Sequence, residues 1–138
     1  MTADKGATFL DSNVVIYLLS GEPYKADRAE ALLRERPTVS VQVLNEVTSV
    51  CLRKLRLPWA EVEAVVAAVK AHVSVVPLTL ESHALAMELA QRHQLSFYDA
   101  HLVASALHAG AQTLFSEDLH HGLKIQGLRI QNPFMTTE

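Results

Sequence analysis

Short β-rich runs alternate along the chain with longer stretches of helical periodicity, and this alternation constrains the fold more than any other feature. Thr8-Phe9-Leu10, Val39-Ser40-Val41, residues 73–76 and Thr113-Leu114-Phe115 read as strands, with Leu128-Arg129-Ile130 a fifth at the sheet edge. Helices are expected over residues 13–19, 24–35, 43–55, 58–69, 80–93 and 98–109, with Gly21-Glu22-Pro23 and Pro37 breaking the early ones. Strands separated by helices require crossover connections, which means a mainly parallel sheet with helices on both faces. The expectation is one α/β domain over residues 1–138. In such sheets ligands bind outside the carboxyl ends of the strands, so polar residues there gain weight.

Composition narrows the class further. Five Gly, five Pro and 49% apolar residues in 138 exclude disorder as the main reading and can fill a core. The net charge of -3, from 12 basic and 15 acidic residues, gives no whole-protein attraction to a polyanion. A nucleic-acid partner would need a local basic patch or bound cations. Cys51 is the only cysteine, which excludes an internal disulfide and a multi-Cys zinc site; among Val47, Val50 and Leu55 it reads as a buried thiol. Residues 1–6 lack a signal-peptide pattern and no apolar run approaches the roughly 18–20 residues needed to span a bilayer, so a cytoplasmic chain with no membrane role is expected.

Four acids occupy informative places. Asp11 ends the first strand in Leu10-Asp11-Ser12-Asn13, where it either caps the next helix or points into the crevice. Glu46 sits just outside the apolar arc of its helix, in the expected first turn, as a metal-facing acid or a surface residue favoured by the helix dipole. Asp99 falls near the centre of the apolar face made by Leu102, Val103, Ala106 and Leu107, and a carboxylate there must be paired, capped or metal-bound. Ser96 has the spacing of a capping box with it. Asp118 follows the fourth strand, with Glu117 competing for any role. Converging carboxylates repel unless they share protons or hold a cation, and an oxygen-only ligand set suits Mg²⁺ or Mn²⁺. Phosphodiester hydrolysis is the natural chemistry of such a site.

The ordered set of Phe9 to Leu19, Asn45-Glu46-Val47, Ser96-Phe97-Tyr98-Asp99-Ala100 with His101 to Ala106, and Leu114 to Leu119 resembles the PIN-domain ribonucleases, and within them the VapC-type toxins of type II toxin–antitoxin pairs. Ile130-Gln131-Asn132-Pro133-Phe134 is similar to the ends of many such toxins. The resemblance implies a three-layer α/β/α PIN-like domain around a short, mainly parallel sheet of four to five strands. It implies a Mg²⁺- or Mn²⁺-dependent endoribonuclease leaving a 5'-phosphate and a 3'-hydroxyl, with an RNA substrate, a VapB-type antitoxin and a homodimeric state. The family's catalytic and metal-binding acids fall on Asp11, Glu46, Asp99 and Asp118, and its supporting polar positions on Asn13 and Ser116, where the family often has Thr.

Other features have competing readings. Arg53, Lys54 and Arg56 either complement a helix C-terminus or form an RNA or antitoxin contact, and seven of the 12 basic residues lie between positions 25 and 56. His120-His121 reads as a solvated loop before a metal site. Phe97, Tyr98 and Trp59 are packing anchors or base-stacking rings. A non-catalytic PIN-like binding module is the main alternative. A phosphorylatable receiver domain is disfavoured, because residues 73–78 offer no phosphate-accepting Asp and residues 113–116 no Lys.

Overall fold

The computed structural model describes residues 7–135; residues 1–6, on which the absence of a signal pattern was read, lie outside the described residues, as do residues 136–138. Six strands, β1 (Thr8–Leu10), β2 (Thr38–Ser40), β3 (Ser74–Val76), β4 (Thr113–Phe115), β5 (Lys124–Ile125) and β6 (Leu128–Gln131), form one sheet in the order β3-β2-β1-β4-β6-β5. All neighbours are parallel except β5 and β6. Six α-helices accompany them: α1 (Ser12–Ile16), α2 (Pro23–Leu33), α3 (Val41–Arg53), α4 (Trp59–Lys70), α5 (Leu80–His93) and α6 (Phe97–His108), with a 3-10 turn at Tyr17–Leu19 after α1. The arrangement is the expected three-layer α/β/α sandwich.

The sheet contains one strand more than the four to five expected, and Leu128–Gln131 is not at its edge. Gln126 (φ 51°) and Gly127 (φ 87°) make a two-residue turn with both φ angles positive, the geometry that matches strand twist, and fold Lys124–Ile125 back as the antiparallel edge. A two-residue strand carries too little alternation to be read from sequence. Helix starts also moved. Ser40 is the N-cap of α3, its Oγ accepting from Val43 N at 3.4 Å, so α3 begins at Val41 and Glu46 lies in the second turn instead of the first. Pro58 caps α4 from outside the helix, leaving Trp59 as its first residue.

The core is the strand interior and the helix faces laid on it: Phe9, Leu10, Val39, Val43, Val47, Leu114 and Ile130 are all fully buried. Cys51 joins them, and burial raises its thiol pKa. Among the described residues no helix is long and apolar enough to cross a membrane.

The strand order reverses direction at β1. The chain passes from β1 to β2 and β3 on one side and continues with β4 on the other, which makes the carboxyl ends of β1 and β4 the switch point of the sheet. Leu10 pairs with Phe115 there, and Asp11 N extends the ladder to Phe115 O at 3.0 Å.

Candidate active site

Asp11 leaves β1 in an extended conformation (ψ 160°) and caps α1, taking Ser12 N on Oδ1 at 2.7 Å. The capping and crevice-facing readings of this residue therefore coexist. Its Oδ2 accepts from Ser116 Oγ at 2.8 Å and from Asn13 Nδ2 at 3.2 Å. Ser116, fully buried just after β4, also accepts from the backbone N of Asp118 and of Leu119, each at 3.2 Å. One hydroxyl thus ties the end of β1 to the turn that follows β4. A Thr offers the same oxygen, so Ser at this position keeps the link.

A cleft of about 320 Å³ opens over this switch point, lined by Asp11, Ser12, Ile16, Glu46, Ser49, Val50, Asp99 and Asp118. The four acids singled out in the sequence all face it, drawn from four different parts of the chain. Glu46 is half-buried in α3 and accepts from Gln42 Nε2 at 3.1 Å. Asp99 is the third residue of α6; its backbone N donates to Ser96 Oγ at 3.2 Å. Only that half of a capping box forms: among the described residues nothing hydrogen-bonds the Asp99 carboxylate. Asp99 is half-buried, not sealed in the apolar face, because the first turn of α6 borders the cleft. Asp118 is exposed on its rim.

Among the described residues no basic side chain lines the cleft. Asp11, 8% exposed, is pushed up to about 6 from an ordinary 3.8, first by burial and further by the negative charges of Glu46 and Asp118, against the lowering effect of the Ser116 and Ser12 donors. Among the described residues no three His, Cys, Asp or Glu side chains stand close enough to form a ready-made ligand set. The donor chemistry nonetheless fits a hard cation: all acidic oxygens, serine hydroxyls beside them, and room for the waters that Mg²⁺ keeps when one or two carboxylates hold it.

Glu117, the rival of Asp118, is committed elsewhere. Its carboxylate takes Lys25 Nζ at 2.6 Å and Tyr17 OH at 2.7 Å, and its backbone N donates to Asn13 Oδ1 at 3.2 Å. Nothing local in the sequence signals this contact. Ser49, one turn after Glu46, is a cleft residue that carries no such pattern in the sequence.

The remaining features separate. Arg53, Lys54 and Arg56 are exposed at and just beyond the end of α3, Arg53 about one turn after Ser49 and Val50, and have no ion-pair partner among the described residues. The other basic residues of the 25–56 segment do not extend that patch: Lys25 pairs with Glu117, Arg34 with Glu30, Arg28 donates to Pro133 O, and Arg36 to Ala71 O. His120 and His121 are exposed loop residues, His121 Nδ1 accepting from Asn132 N at 3.0 Å. Phe97 is a packing anchor, but Trp59 (62% exposed) and Tyr98 (69% exposed) are not.

Together, a doubly wound sheet and an all-acid cleft at its switch point define the class: an α/β protein with a carboxylate site suited to a divalent cation. The PIN-domain family model matches residues 8–122, and the chain belongs to the PIN-domain family. Its fold is similar to that of a toxin–antitoxin complex from Klebsiella pneumoniae, with TM-score 0.71, 20% identity and coverage of 92% of this chain and 98% of the other. It is also similar to the sarcin-ricin loop cleaving toxin VapC20 of Mycobacterium tuberculosis, with TM-score 0.63, 23% identity and coverage of 81% and 92%. VapBC2 of Rickettsia felis, solved bound to a DNA fragment from its promoter, gives TM-score 0.68, 16% identity and coverage of 91% and 98%. No curated protein matches by sequence.

Proposed function

We propose that this chain is a Mg²⁺- or Mn²⁺-dependent endoribonuclease, a single domain over residues 1–138, that acts as the toxin of a type II toxin–antitoxin pair. One observation carries the reading: among the described residues four acids and no basic side chain line one cleft at the switch point, where burial and then the charges of Glu46 and Asp118 raise Asp11 to about 6. A bound cation would stabilise such a cluster in its working, ionised form. Asp11 and Asp99 would hold the ion, directly or through water; Glu46 would complete that shell or orient the attacking water, and Asp118 would serve a weaker second position. Bound there, the ion would lower the pKa of a water and neutralise charge on the scissile phosphate.

The protein's own contributions follow from the hydrogen bonds. Ser116 and Asn13 fix the Asp11 carboxylate so that its bonded lone pairs face the protein. Asp99, without a hydrogen-bonded partner on its carboxylate, is left to the cleft. Arg53, Lys54 and Arg56, exposed at and just beyond the end of α3, would contact RNA phosphates, or an acidic segment of a VapB-type antitoxin, and so compensate the negative overall charge. The antitoxin partner is supported by fold relatives solved as toxin–antitoxin complexes, and a homodimer remains part of the proposal.

The test is incubation of purified protein with cellular RNA, with Mg²⁺ or Mn²⁺ and then with excess chelator, followed by mapping of the new ends. Cleavage only with metal, leaving 5'-phosphates, is expected. Undiminished cleavage in chelator would refute the mechanism, and RNA binding without cleavage under any metal would leave a non-catalytic PIN-like binding module. Expression without its antitoxin should arrest growth; normal growth with an active enzyme would leave a nuclease that is not a toxin.

A further inference from the structure

The turn after β4 carries two adjacent acids with opposite fates: Asp118 borders the cleft, while Glu117 is half-buried and bonded to Lys25 of α2 and Tyr17 of the 3-10 turn. We propose that Lys25, Tyr17 and Glu117 form a clamp that positions residues 116–118 against Asp11 and withholds Glu117 from the cation site. The inference rests on the metal-dependent reading above.

The geometry is a closed triangle. Lys25 Nζ donates to Glu117 Oε2 at 2.6 Å and to Tyr17 OH at 3.0 Å, and Tyr17 OH donates to Glu117 Oε1 at 2.7 Å. Both carboxylate oxygens are used. The ammonium also lies 4.4 Å from the Tyr17 ring centroid and 5.3 Å from that of Phe134, and the two rings meet edge to face at 4.9 Å. Phe134 is held there by α2, since Arg28 Nε donates to Pro133 O at 3.0 Å and Tyr24 OH to Phe134 O at 3.4 Å. The closing segment of the chain thus covers the ion pair, whose side chains are 24% and 26% exposed, and an ion pair shielded in this way is screened less by salt than one on the open surface.

From this triangle the constraint runs to the cleft in two bonds. Glu117 N donates to Asn13 Oδ1 at 3.2 Å, and Asn13 Nδ2 donates to Asp11 Oδ2 at 3.2 Å. Clamping Glu117 therefore fixes its neighbours Ser116 and Asp118 on one side and the Asp11 carboxylate on the other. It also supplies Glu117 with a cation of its own, so that a fifth carboxylate neither adds to the repulsion nor competes for the ion. Lys25, Tyr17 and Glu117 are positioning residues, acting through Asp11 and Asp118.

The experiment measures Mn²⁺ binding to RNA-free protein, and kcat and KM for RNA, in wild type, Lys25→Ala, Glu117→Gln, the double variant and Lys25→Arg. Thermal melts identify any variant that fails to fold; Glu117→Gln keeps the side-chain shape and Lys25→Arg keeps the positive charge. Lys25→Ala and Glu117→Gln are each expected to weaken Mn²⁺ binding and lower kcat by about tenfold, with KM changed less than about twofold. The double variant should be no worse than either single one, and Lys25→Arg should recover most of the loss. Folded single variants with wild-type Mn²⁺ affinity and kcat, or losses that multiply in the double variant, would overturn the clamp. Wild-type protein that neither binds Mn²⁺ nor cleaves RNA would overturn the metal reading itself.

Discussion

Two acidic regions lie back to back on the turn after β4, and they differ in one respect. In the Lys25-Tyr17-Glu117 triangle the carboxylate has a resident cation, and the Lys25 and Tyr17 bonds hold Glu117 below its ordinary value even though burial alone would raise it. In the cleft, Asp11 has hydrogen-bond donors but no protein cation among the described residues, and burial with neighbouring charge pushes it up to about 6. The contrast supports the proposal: an acid supplied with a protein cation is tied into the structure, whereas acids gathered without one would take a cation from solution.

The largest expected effect breaks the cation-free side. Asp11→Asn or Asp99→Asn should lower cleavage by about a thousandfold or more in a steady-state RNA assay, consistent with removing a metal ligand at the reacting centre. Cleavage by both variants at wild-type rate would erase the contrast between the two regions.

The same Asp11→Asn change should stabilise the metal-free protein. The sign follows from the raised pKa: with 3.8 unfolded and about 6 folded, the native state holds the Asp11 proton more tightly. The stability this lends is present below about pH 4 and is lost as pH rises through about 6, an effect of up to about 3 kcal/mol. Urea unfolding in chelator should show wild type losing stability relative to Asp11→Asn between pH 4 and pH 7.5. Parallel curves for the two proteins would mean that Asp11 is not strained.

A smaller effect is expected at the rim. Asp118→Asn should reduce kcat by about ten- to a hundredfold at low Mg²⁺ and less at high Mg²⁺, in a metal titration of the cleavage rate. The smallest concerns the basic residues: Arg53→Ala, Lys54→Ala and Arg56→Ala should each raise KM for RNA about two- to threefold and flatten its salt dependence, with kcat unchanged. A kcat effect without a change in salt slope would place them outside the RNA path.

Much of this was legible in the chain because the relevant signals are local. Asp11 stands one residue after a strand, and Asp99 three residues after a Ser N-cap, so both carry their address with them. The parallel architecture was legible for the same reason, each β-run being followed by a helical pattern. Glu46 was placed one turn too early because Ser40 ends β2 and caps α3 at once, which a Val-Ser-Val alternation conceals. The β5 edge was hidden by its two-residue length. The clamp had no sequence signal at all, since Lys25 and Glu117 are 92 positions apart and meet only through the β1–β4 pairing.

The most direct test of the central claim is a calorimetric Mn²⁺ titration of RNA-free wild type and Asp11→Asn at pH 7.5. Saturable binding in wild type, lost in Asp11→Asn, is expected. Equal binding by both proteins, or none by either, would contradict a cleft built to take its cation from solution.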